Sequence, residues 1–116
     1  MKYLLMLYAD ENAGAAIPPD QMAGFMGQMH AYQETLEKAG AFVATSGLSP
    51  TWDAKTIRRE AGELKVHDGP YADTREQFGG YFIIEAAGMD RATELAALCP
   101  AANWGAIEIR PFHAGR

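Results

Sequence analysis

Residues 3–8 read Tyr3-Leu4-Leu5-Met6-Leu7-Tyr8, six apolar side chains without a break. A strand with one wet face alternates apolar and polar residues, so an unbroken run of this length belongs to a strand covered on both faces. A second run of the same kind, Tyr81-Phe82-Ile83-Ile84, lies inside a predicted strand over 78–85. Two weaker strands accompany them. One covers 41–45 and gives way to a turn from Ser46-Gly47 to Pro50. The other covers 106–110, where Ile107 and Ile109 alternate with Glu108 and Arg110 until Pro111 stops the strand.

The segments between these strands carry helical signals. Residues 10–16 are small and polar and read as a loop. Pro18-Pro19 then opens a helix, with Pro19 suited to the first helical position and Asp20 to the positive end of the dipole. Met22, Phe25, Met26, Met29, Tyr32 and Leu36 recur at helical spacing, and Gly40 supplies the stop. A second helix is expected over 89–98, with Asp90 near its start and Cys99-Pro100 at its end. Residues 55–59 and 63–67, joined at Ala61-Gly62, alternate in the manner of a solvent-facing β-hairpin. Asp68-Gly69-Pro70-Tyr71 follows as a turn.

The order is βαβ, an inserted hairpin, then βαβ, which describes an α+β domain with an antiparallel sheet and the ferredoxin-like fold, one domain over 1–116. In that fold the first and third main strands are central, and here those are the two most apolar. Two helices cover one face of such a sheet. The apolar second face then calls for a twin subunit, so a homodimer is expected.

Composition narrows the function classes. The chain has 116 residues, 48% hydrophobic and 22% charged, and a net charge of -5, which offers nucleic acid no basic face. No apolar run approaches the roughly 20 residues of a membrane span. The opening apolar run is too short for a signal-peptide core, and the lone Cys99 suits a reducing compartment, so the expected location is the cytoplasm.

Asp68-Gly69-Pro70-Tyr71-Ala72-Asp73-Thr74-Arg75-Glu76 resembles the DGPFAETKE signature of the YCII-related (DGPF) family, with Tyr71, Asp73 and Arg75 as mild departures. The opening MKYLLMLY, Gly79-Gly80-Tyr81, Cys99-Pro100-Ala101-Ala102 and Glu108-Ile109-Arg110-Pro111-Phe112 extend the resemblance over nearly the whole chain. The resemblance implies a dimeric α/β barrel and a catalytic pair in which His30 matches the family histidine and Asp68 the signature aspartate. It also implies an association with extracytoplasmic-function sigma factors.

His30 follows Met29 and so lies about 100° around the helix from the apolar stripe, beside Met26. A histidine there, oriented by the Asp68 carboxylate, suits general acid–base work near neutral pH. The bland alternative makes His30 a helix-surface residue and Asp68 a turn former. Tyr8, Met26, Tyr71, Arg75, Phe78 and Tyr81 are the expected pocket-lining residues, with Trp52 a further aromatic candidate. His67 reads as a hairpin surface residue and His113 as a tail residue. Cys99 reads as a small buried hydrophobe. Neither a compact metal-ligand spacing nor a phosphate-cradling loop is visible, so no metal and no cofactor are expected.

Two functional classes follow. One is a small cofactor-independent enzyme, of lyase or isomerase type, moving a proton on a small metabolite with His30 and Asp68. The other is a non-catalytic module binding a small-molecule ligand or a regulatory protein in sigma-factor control.

Overall fold

The computed structural model describes residues 1–114. Four strands, β1 (Lys2–Ala9), β2 (Phe42–Gly47), β5 (Gln77–Glu85) and β6 (Ala106–Pro111), form one antiparallel sheet in the order β2-β5-β1-β6. This is the ferredoxin-like order, and the two apolar strands β1 and β5 occupy its centre. β3 (Lys55–Glu60) and β4 (Glu63–Asp68) pair only with each other, as the inserted hairpin.

Alternation divides β1 between two environments. Tyr3 and Leu5 point into the core with Phe82 and Ile84 of β5, where Tyr32 and Leu36 of α2 (Pro19–Lys38) and Ala92, Leu95 and Ala96 of α3 (Met89–Ala97) cover them. The buried Tyr32 hydroxyl donates to the Leu95 carbonyl at 2.8 Å, linking the two helices, and its ring meets Phe82 edge-on at 5.1 Å. Burial, with Cys99 nearby, pushes the Tyr32 phenol far above its ordinary range. Leu4 and Met6 point the other way, opposite Ile83 and Tyr81. No helix among the described residues covers that face, and the molecule is a slab of 49 × 44 × 18 Å.

Helix α2 ends where Gly40 adopts φ 68°. The Gly40 N–H donates to the Glu37 carbonyl and the Ala41 N–H to the Leu36 carbonyl, the paired bonds of a Schellman stop. The hairpin turns at Ala61 (φ 51°) and Gly62 (φ 80°), as the right-handed strand twist requires. Its apolar side chains stay in solvent, Ile57 being 63% exposed.

Residues 10–16 depart from the expected loop. Glu11–Ala15 form a short helix, α1. The Asp10 carboxylate caps it, accepting from the Asn12 and Ala13 N–H groups at 2.9 and 3.2 Å. Five residues are too few to show an apolar period, which is why the cap was the only available signal. Strand β2 also runs on through Ser46 and Gly47, because Tyr81 and Gly80 of β5 offer them partners. No helix among the described residues is long and apolar enough to cross a membrane.

Candidate functional site

Only the second half of α2 enters the core. Its first half, carrying Met22, Phe25 and Met26, roofs a cavity of about 530 Å³ at the end of the sheet. Helix α1 and Ile17 close one side, and Leu48 to Trp52 of the β2–β3 connection close another. Trp104, from the turn before β6, packs against Phe25 with ring centroids 4.9 Å apart. Trp52 stands at the rim, 60% exposed.

Beside this apolar lobe lies a polar one of about 450 Å³, walled by Asp68, Gly69, Pro70, Asp73, Thr74 and Arg75. Asp10, Glu11 and Gln77 border both lobes. Here the Glu11 N–H donates to the Gln77 side-chain oxygen at 2.9 Å, and the Gln77 amide donates to the Thr74 carbonyl at 2.6 Å. The Glu11 carboxylate accepts from the Thr51 N–H at 2.8 Å and from the Thr51 hydroxyl. These bonds tie α1, the β2–β3 connection and the head of β5 into one wall.

The expected site residues disperse across this geometry. Met26 lines the apolar lobe, and Asp68 and Arg75 the polar one. His30 is exposed on α2, a turn beyond Met26, and lines neither lobe. Tyr8 and Phe78 pack against each other at 5.7 Å, and Tyr81 joins the uncovered sheet face. Tyr71 is 77% exposed, under the Arg58 guanidinium at 5.6 Å. Cys99 is buried, and burial pushes its thiol up. Glu11, Gln77, Phe25 and Trp104 were not singled out from sequence as site residues. The Asp10-Glu11 pair heading α1 was the one local clue.

Asp68 is engaged at the hairpin root, where its carboxylate accepts from Lys55 Nζ, its cross-strand partner. No hydrogen bond or ion pair joins it to His30.

The architecture is thus an α+β sheet domain with a two-lobed cleft at the end of its sheet. Residues 1–113 match the YCII-related domain, and the chain belongs to that family. An uncharacterized protein of Rhizobium meliloti (strain 1021) is 35% identical over 114 residues, which is 97% of this chain and 92% of that protein.

Proposed function

We propose that this domain binds a small, mainly apolar metabolite in the cavity roofed by α2, and that it works as a pair of identical copies joined through the uncovered sheet face. The observation that carries the ligand is the lining of the 530 Å³ lobe. Ile17, Met22, Phe25, Met26, Leu48 and Trp104 supply apolar wall, while Glu11 and Gln77 present polar atoms at one side. A concave apolar site with a few placed polar groups is the usual form of a small-molecule pocket, and methionines let its wall adapt.

Proton transfer by His30 and Asp68 has the family resemblance behind it but not the geometry of a single copy, so binding is the better-supported function. The chain's two tryptophans, Trp52 and Trp104, both line the lobe, which makes intrinsic fluorescence a direct report of its occupancy. Titration with 2-phenylethanol is expected to change the emission saturably. A response that stays linear in concentration for this alcohol and for its cationic and anionic analogues alike, matching that of free N-acetyltryptophanamide, would overturn the assignment.

A further inference from the structure

We propose that the ligand of this cavity is an organic cation, an amine or quaternary ammonium attached to an apolar body; this rests on the binding function proposed above. Among the described residues, the lining of the apolar lobe contains two carboxylates, Asp10 and Glu11, and no lysine, arginine or histidine. Both acids stand on the wall shared with the polar lobe, whose further charged side chains are Asp73, Arg75 and an Asp68 already paired with Lys55. An anion entering the apolar lobe would meet the Asp10 and Glu11 carboxylates with no basic side chain of the lining to offset them. The Asn12 and Ala13 N–H groups at the start of α1 already donate to the Asp10 carboxylate.

The aromatic walls point to the same ligand class independently of the acids. Trp52, Trp104 and Phe25 line the lobe together. The faces of aromatic rings attract cations, tryptophan most strongly, and more so as the cation leaves water. An apolar body with a cationic head thus satisfies both parts of the lining, whereas a neutral body leaves the two carboxylates with neutral hydrogen-bond donors alone among the described residues. Glu11 is the more firmly held of the two acids, since Thr51 donates to its carboxylate from the backbone and the hydroxyl. A carboxylate has about four lone-pair sites, so acceptor capacity remains for a ligand N–H.

Three probes with one phenylethyl body separate charge from shape: phenethylammonium, 2-phenylethanol and phenylacetate, each titrated against tryptophan emission. The cation is expected to bind about tenfold tighter than the alcohol, and phenylacetate more weakly than either. Added salt should weaken only the cation, and Glu11→Gln should bring its affinity down toward that of the alcohol. Because Glu11 also holds Thr51, unchanged alcohol binding in that variant verifies the cavity. Trp52→Leu, at an exposed rim position, gives a second route, reducing the cation preference through loss of the ring. Equal or tighter binding of the alcohol in the unaltered protein would overturn the cationic ligand while leaving the cavity assignment standing. Saturation by none of the three would remove both.

Discussion

Gly105→Ala is expected to destabilise the fold by about 3 kcal/mol or more, at the upper end of what a single added methyl does. A Cβ at Gly105 would lie 1.9 Å from the Tyr8 carbonyl oxygen and 3.2 Å from the Ala9 Cβ. The obstacle is backbone of the central strand β1, where Tyr8 pairs with Ala106 of β6, so no side chain can turn aside to make room. Relief requires β6 to withdraw from β1 or the turn carrying Trp104 to move, and either change opens the cavity wall. Urea denaturation should show a much lower midpoint than the parent, with loss of the saturable fluorescence response. Gly24→Ala serves as the opposite case. It lies inside α2 with open space around it, and alanine there should raise stability by about 0.5–1 kcal/mol through helix propensity. An unchanged midpoint for Gly105→Ala would mean that β6 reaches the sheet by another path.

The second large effect concerns the uncovered sheet face. Leu4 and Met6 of β1 stand opposite Ile83 and Tyr81 of β5, forming an apolar patch at the middle of a slab 18 Å thick. A second copy presenting the same patch would cover it through a two-fold axis, since an isologous contact needs no surface beyond the one already present. Light scattering at micromolar concentration is expected to return twice the chain mass of 12.6 kDa. Leu4→Lys would place an ammonium group in each copy's patch near that axis, where its cross-strand partners are Ile83 and the like-charged Arg110. The variant is expected to sediment at the single-chain mass with its circular dichroism retained. A parent protein of single-chain mass would refute the pairing, and the patch would then need a different occupant.

The elements written into local sequence emerged where expected. The unbroken run at 3–8 marks one of the two strands at the centre of the sheet, β1, whose edges pair with β5 and β6. Gly40 and the Ala61-Gly62 pair mark turns because backbone sterics at positive φ are a local matter. Even the Lys55–Asp68 ion pair was legible in principle. A two-residue turn at 61–62 sets the register that places those two residues opposite each other. The expected dyad overlooked this competitor for Asp68.

The cavity belongs to a different category. Ile17, Met22, Trp52, Gln77 and Trp104 come from five separate segments, and no spacing along the chain brings them together. The apolar stripe of α2 looks continuous from Met22 to Leu36, yet its far half faces the core and its near half faces a cavity. That division depends on where the sheet ends beneath the helix, which tertiary packing alone decides. The sequence by itself determined the strand order, the helix stops and the hairpin register, because sterics and alternation act between neighbours. The tertiary structure decided which apolar residues meet a ligand-sized space, because that space forms only where distant segments fail to fill the volume between them.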